Sequence, residues 1–415
     1  MEPIEIINRL SAIPGRGPGT DAERRAAKML AQVLHDGGRE AELEPHWVRP
    51  QWQLVLAMHA ALGIAGSVVS VFAPAVGLGI AGAALVSAVL EALGWAHLLR
   101  RFSPPRATQN VVSPPTETTR YGAERIVRLV ICAQYDAGRS GLIYRERFRR
   151  IVGRAQRVAR GRLPGAAGVV ALALTVLAGT AGLRLAGIDA GWVGAVQLVP
   201  TVALLVSFAA LIDIGLSEHG PGASDPAGGV GVAIALAQAL DRDPPRRMAV
   251  ELVLAGAGEG PSLGMRAWGR ERRRTYAPAA TVVLDLAACG HGPPRFWTVD
   301  GPLLPLRFHP RLRDLATGVA FDEAHLHAAP HRGHRAGAGF RARARRLPAI
   351  TIGSVEGDSW AEGSHRPEDE ARYVDGESLG AALEFCRALV ARLDDDLGNR
   401  PTGGAGDGTR RLFRR

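Results

Sequence analysis

Lysine is almost missing from this chain. Among 50 basic residues Lys28 is the sole lysine, and arginine supplies the rest of a formal net charge of +10. Such basicity suits nucleic acid, an anionic membrane surface or a coding bias. No aromatic-interleaved basic motif, helix-turn-helix spacing or zinc-knuckle pattern accompanies it, so no nucleic-acid partner is expected. Cysteine is scarce as well: Cys132, Cys289 and Cys386 are odd in number and far apart. That argues against a disulfide framework or a cysteine metal site and leaves ordinary buried thiols. The opening "MEPIEIINRL" is acidic and lacks a basic segment before an apolar run, so no signal peptide is expected.

Charge is nearly absent from two long tracts. Residues 52–99 hold one acid, Glu91, and neither lysine nor arginine. Their length fits two spans of ~20 residues each, with a turn near Pro74. Residues 164–216 repeat the arrangement, two apolar stretches parted by a short polar piece with Arg184 and Asp189. Buried hairpins in a soluble core are the alternative, but core helices rarely sustain apolar runs so rich in glycine and alanine. An integral membrane protein with about four spans is therefore expected. The spans carry few charges, which leaves no visible ion or proton path.

Two hairpins put all the polar regions on one face of the bilayer. The loop between them, residues 100–163, contains "RERFRRIVGRAQRVARGR", and by the positive-inside rule that face is cytoplasmic. The same stretch reads either as an amphipathic helix lying on anionic headgroups or as a solvated charged helix.

With the hairpins set aside, the remaining sequence alternates helix and strand periodicity. Helices are expected over 20–37, 225–240, up to about 274, and 375–397. Strands are expected over 41–48, in "RIVRLVICAQYD", "RRMAVELVLAGAG" and "AATVVLDLAA", and in "LPAITIG". The expected fold class is α/β, a mixed, mostly parallel sheet sandwiched by helices and interrupted by two transmembrane hairpins. Residues 1–51, 100–163 and 217–397 would form the polar domain, 52–99 and 164–216 the hairpins, and 398–415 a disordered tail.

Ligands of such folds gather at strand ends. There the sequence places Gln134 and Asp136, then Asp225 at a helix start, Glu259, Asp285, and His365 before the last helix. Carboxylates and a histidine are ligand types that zinc accepts, although Asp225 in "SDPAGG" also reads as a helix cap. A second cluster, His325, His327, His331 and His334, lies in the Arg/His-rich loop 323–346. Adventitious metal binding, a pocket lining and a variable loop are its possible readings, the last favoured because the spacing fits no helical ligand pair.

Seven segments carry a resemblance: "PGRGPGTDAERRAAKMLAQVLHDGGREAEL", "LVICAQYDAG", "GASDPAGGVGVAIALAQAL", "VELVLAGAGEGPSLG", "VVLDLAA", "LPAITIG" and "GSHRPEDEARYVD". In this order they resemble metallopeptidase family 28, the co-catalytic di-zinc aminopeptidases and carboxypeptidases, over essentially all of the chain outside the hairpins and tail. The resemblance implies a zinc-exopeptidase-like fold, one or two zinc ions and a peptide or peptide-like ligand. It implies metal ligation by Asp225, Glu259, Asp285 and His365, with Asp136 supporting from behind. Phe340 falls in a region where family members carry specificity residues.

Two positions depart from the family's pattern. Its His-x-Asp motif is Gln134-Tyr135-Asp136 here, so a neutral amide replaces one histidine ligand. Its Glu-Glu pair, general base then zinc ligand, is Gly258-Glu259. Losing a positioned acid–base group costs roughly 10²–10⁴-fold in rate. Glu218, Asp358 and Glu362 are the acids in neighbouring loops that sequence leaves available as substitutes. The expected function is a membrane-anchored zinc-peptidase-like protein with impaired hydrolysis. The alternative is an inactive pseudo-peptidase that binds or scaffolds at the membrane.

Overall fold

The computed structural model describes residues 2–119, 127–159, 161–355, 361 and 363–398. Asp358, Glu362 and the tail from residue 399 lie outside the described residues.

The chain begins with helices α1 (Pro3–Ser11) and α2 (Asp21–Asp36), followed by strand β1 (Glu42–Val48). Thr20 starts α2 by accepting a hydrogen bond from the Glu23 amide (3.1 Å), the usual work of an N-cap hydroxyl. Two apolar helices follow, α3 (Trp52–Phe72) and α4 (Pro74–Leu93), with Pro74 in the first turn, where its missing N–H costs nothing. Strands β2 (Arg106–Ser113) and β3 (Val127–Gln134) precede the basic helix α5 (Glu146–Val158). The second apolar pair is α6 (Ala166–Leu185) and α7 (Gly191–Leu216). The remainder alternates: α8 (Gly228–Arg242), β4 (Met248–Ala255), α9 (Leu263–Glu271), β5 (Thr281–Leu286), β6 (Pro294–Asp300) and β7 (Leu306–Arg307). It closes with α10 (Pro310–Asp322), β8 (Ala329–Arg332), α11 (Ala338–Ala344), β9 (Ala349–Ser354) and α12 (Gly376–Gly398).

The strands form one mixed sheet in the order β1-β2-β4-β3-β5-β9-β6-β7, with β8 paired to β6. The four central strands, β4, β3, β5 and β9, run parallel, while β1–β2 and β6–β7 add antiparallel edges. Central strands covered on both faces must be largely apolar on both, and they are, the buried Glu251 of β4 being paired with Arg128 of β3 (2.7 Å). Leu129, Ile131, Val250, Leu252, Leu284 and Ile350 belong to the larger core beneath α1, α2, α8 and α12. Their alternates Val130, Cys132, Val253 and Val283 pack on the opposite face, against Met265 and Trp268 of α9 and Ala342 of α11. The parallel strands also bring their C-terminal ends, and the residues that follow them, to one edge.

Helices α3, α4, α6 and α7 pack as a bundle, and at 20 to 26 residues each is long and apolar enough to cross a membrane. In the bundle interior Ala60, Ala81 and Ala84 pack with Val170, Leu174, Leu177 and Leu204, and a side chain on Gly77 would start 2.4 Å from Ser70 Cα. Gln197 donates inside it to the Ser67 carbonyl (2.7 Å) and hydroxyl (2.8 Å), and accepts from Arg184. Other large residues, Phe72, Val199 and Val206 among them, point outward.

Candidate functional site

The strand-to-helix turn after β4 is tightly folded. Ala257 and Ser262 flank it at positive φ (44° and 46°), a conformation that non-glycine residues adopt only when their surroundings hold them. Three side chains hold this one. Asp136, fully buried at the end of β3, accepts from the Gly258 amide (2.5 Å) and the Glu259 amide (3.0 Å). Glu23, reaching over from α2, accepts from the Ala257 amide (2.7 Å) and from Thr108 Oγ1 (2.8 Å). Asn110 accepts from the Gly256 amide (3.2 Å). Burial raises the Glu23 carboxyl to about 7 against these hydrogen bonds, and raises Asp136 well above the usual carboxylate range, with Glu23 adding repulsion.

Glu259 and His365 face each other, Oε2 to Nε2 at 3.9 Å, both buried. The imidazole is fixed on two sides. Its Nδ1 lies 3.0 Å from the Arg139 carbonyl, and its ring stacks on Tyr144, centroids 4.3 Å apart and planes 13° off parallel. A donor bond from Nδ1 to that carbonyl leaves Nε2 as the acceptor facing Glu259. His365 itself sits at φ +63°.

Asp225 lies at the start of the turn into α8. Asp369, from the loop that also carries His365, orders that turn by accepting from the Ser224 amide (2.8 Å) and the Asp225 amide (3.4 Å). Burial pushes Asp369 up to about 6. Opposite Asp225 stands Arg335, whose Nη1 is 3.6 Å from Asp225 Oδ2. Desolvation lowers the Arg335 pKa, but Asp225 and then Glu259 more than offset it, and the net direction is up. Arg335 is placed by Asp300, which accepts from its amide (2.7 Å) and which burial raises to about 7.

Asp285, on β5, is committed elsewhere. Oδ2 accepts from the Gly339 amide and from Thr351 Oγ1, both at 2.9 Å, and Oδ1 takes a weak bond from Cys132 Sγ (3.7 Å). Burial raises its carboxyl to about 6. Gln134 lies against the turn, its Cβ only 2.3 Å from where a side chain on Gly258 would begin. Among the described residues, the acids and histidines whose donor atoms gather within 4.8 Å are two other groups, Glu44–His46–Glu271 and Glu323–His325–Glu384. Glu44 in the first is already held by Arg272, and the second is largely exposed.

These placements do not fit two zinc ions. One side would offer a neutral amide and an aspartate whose oxygens already face protein donors. Glu259, His365 and Asp225 are donor types that a single ion accepts, but their donor atoms do not all lie within 4.8 Å of one another, and Arg335 pairs with the aspartate.

Among the described residues, Glu218 and the loop histidines His325 and His331 have partners of their own. Glu218 is exposed, and its main-chain carbonyl binds the Ser140 amide (2.8 Å). His325 pairs with Glu384 (3.0 Å), and His331 sets its ring edge-on to Trp297 at 4.8 Å. Phe340 is buried on α11. Sequence reasoning passed over Tyr144, Arg335, Asp369 and Glu23. A signal existed for two of them: Thr20-x-x-Glu23 has capping-box spacing, and Asp369 sits within the "SHRPED" segment.

The hairpins rest on the loops of this cleft. The Trp52 ring at the start of α3 fills the space beside Gly260 (2.3 Å from its virtual Cβ). Asp213 of α7 accepts from the Leu142 amide (2.6 Å), two residues before Tyr144. Gly165, just before α6, lies against the His334 carbonyl (3.0 Å from its virtual Cβ), beside Arg335.

Residues 206–390 match the family model described as Peptidase family M28. Among solved structures, a Zn-dependent exopeptidase from Parabacteroides distasonis aligns with a TM-score of 0.52 and 12% identity, over 94% of this chain and 97% of that one. A leucine aminopeptidase precursor from Bacteroides thetaiotaomicron gives 0.51 and 12%, over 94% and 96%. Glutaminyl cyclase from Porphyromonas gingivalis gives 0.50 and 14%, over 95% and 97%. No curated protein matches the sequence. The fold is that of the zinc-dependent exopeptidases and glutaminyl cyclases. At such identities the likeness extends to fold alone.

Proposed function

We propose that this protein is a membrane-anchored, peptidase-like binding protein that has lost effective hydrolysis. The cleft is retained to hold a peptide or peptide-like ligand, while the group that would take a proton from water is gone. The contact between Gln134 and Gly258 carries this reading. A virtual Cβ on Gly258 starts 2.3 Å from Gln134 Cβ, and every residue but glycine has a Cβ at position 134. The backbone has thus closed over the space where a general base would stand, whichever residue follows on β3. A positioned base contributes roughly 10²–10⁴-fold to such reactions.

A zinc ion, when bound, supplies an acidified water and a polarised carbonyl. Glu259, His365 and Asp225 are the residues to hold one, with Asp136 keeping the Glu259 turn in place through two amide bonds. The apolar outer face of the bundle, with Phe72, Val199 and Val206 exposed, supports membrane anchoring. The arginine bias of residues 100–163 supports a cytoplasmic polar domain.

The test is amino-acid release from a panel of aminoacyl-p-nitroanilides and dipeptides by the purified full chain with added zinc, beside Glu259→Ala. Turnover equal in both proteins is the expected result. Turnover that only the native chain shows, at a rate ordinary for aminopeptidases, would make it an active enzyme.

A further inference from the structure

Helix α5 faces the wrong way for a soluble protein. Its inward side carries Arg149, Gly153 and Gln156, all buried, while Phe148, Ile151 and Val158 are 50%, 63% and 87% exposed. These three lie at i, i+3 and i+10, one stripe of the helix. A parallel row, Arg147, Arg150, Arg154 and Arg157, is exposed beside it. Apolar stripe and arginine row together make the pattern of a helix lying in a headgroup layer. The position agrees: α6, an apolar helix of spanning length, begins eight residues after α5 ends.

The inward side of α5 reaches the site. Arg149 Nη2 donates to the Ala361 carbonyl (2.8 Å) and Nη1 to the Ser364 carbonyl (3.3 Å). Glu146 pairs with Arg366 at 3.5 Å. The chain on both sides of His365 is therefore tied to this helix. Immediately before α5, the turn Leu142–Tyr144 supplies the ring stacked on His365.

We propose that α5 docks its Phe148–Ile151–Val158 stripe into an anionic leaflet and that this docking sets the position of His365 through Arg149 and Tyr144. Tyr144 and Arg149 are positioning residues; neither is needed as a ligand. The idea rests on the membrane reading above. A bilayer rich in anionic headgroups would then order the cleft, and a neutral one would leave it looser.

The full chain is reconstituted in nanodiscs of phosphatidylcholine alone or of phosphatidylcholine and phosphatidylglycerol in equal parts. Two readouts are taken: the emission of an environment-sensitive dye on Ile151→Cys, and the rate of His365 carbethoxylation by diethyl pyrocarbonate, followed by mass spectrometry. Expected are a blue-shifted dye and a His365 rate about tenfold slower in the anionic discs, with both differences lost in Arg154→Gln/Arg157→Gln. Arg149→Met should keep the dye shift and lose the His365 protection, which separates docking from coupling. A dye reporting water in both lipids overturns the docking, and an unchanged His365 rate overturns the coupling. Protection reproduced by inorganic phosphate in detergent would assign the site to a soluble anion. Resistance to carbonate extraction tests the membrane reading separately, so failure of anchoring and failure of this inference give different results.

Discussion

Gln134 and Gly258 stand so close that Gln134 Cβ lies 2.3 Å from the point where any side chain on Gly258 would start. The two departures from the peptidase pattern are thus one spatial feature, a turn pressed onto the end of β3. Gly258→Ala is expected to destabilise the protein by about 1–3 kcal/mol, the usual cost of overpacking, measured as a lowered unfolding midpoint in detergent. Gln134→His with Gly258→Glu should not create an aminopeptidase; rapid turnover by that double variant would refute the closed-backbone argument.

Metal affinity should depend on a cation that the protein itself supplies. Arg335 faces Asp225 at 3.6 Å, so Arg335→Gln should tighten zinc binding by about tenfold, the scale of one lost charge competitor in a coupling of ~1.4 kcal/mol. Glu259→Ala and His365→Ala should weaken it. Equilibrium dialysis with zinc would show this order, and identical affinities for the native chain and Arg335→Gln would remove Arg335 from the site.

Stability should fall with rising pH where Glu23 ionises. Its carboxyl is raised from 4.5 to about 7 by burial, so between those values the folded state binds more protons than the unfolded one. The contribution is complete below pH 4.5 and lost as pH climbs through 7, with a slope of at most about 1.4 kcal/mol per pH unit. Glu23→Gln should flatten that slope in denaturant titrations across this range. A slope as steep as before would assign it to Asp136, Asp285, Asp300 and Asp369, which burial also raises.

Topology offers a separate check. Single cysteines at Ser140 and Asp189, read with a membrane-impermeant maleimide in sealed vesicles, should label from opposite faces. The three native cysteines are buried and should stay silent. Labelling of both sites from one face would rule out spanning hairpins.

Much of the fold is written in period. The near-continuous apolar runs in "RLVICAQ" and "MAVELVLA" mark strands covered on both sides, and β3 and β4 occupy Val127–Gln134 and Met248–Ala255. The break at Pro74 falls where α4 begins. The edge strands left a fainter trace. β6, "PRFWTVD", carries Arg295 and Thr298 where it is only partly covered, and its buried Asp300 accepts from the Gly301 and Arg335 amides. The site was legible where it follows strand ends, as for Asp136 and Glu259, since a parallel sheet delivers those ends to one edge. Tyr144 and Arg335 could not be read, because each arrives on an irregular loop whose path is decided by tertiary contacts. Their partners, His365 and Asp225, are 221 and 110 residues away along the chain.

The rests beneath the cleft bear on how the protein can be handled. Trp52 against Gly260, Asp213 on the Leu142 amide and Gly165 beside His334 join three different apolar helices to three different cleft loops. Trimming the hairpins to make a soluble fragment would therefore take away flooring as well as anchors, and the fragment's cleft would differ in shape from that of the intact chain. Tests of the proposed ligand binding should be run on the whole protein, because the residues around Glu259 and His365 are held jointly by the α/β fold and the apolar helices.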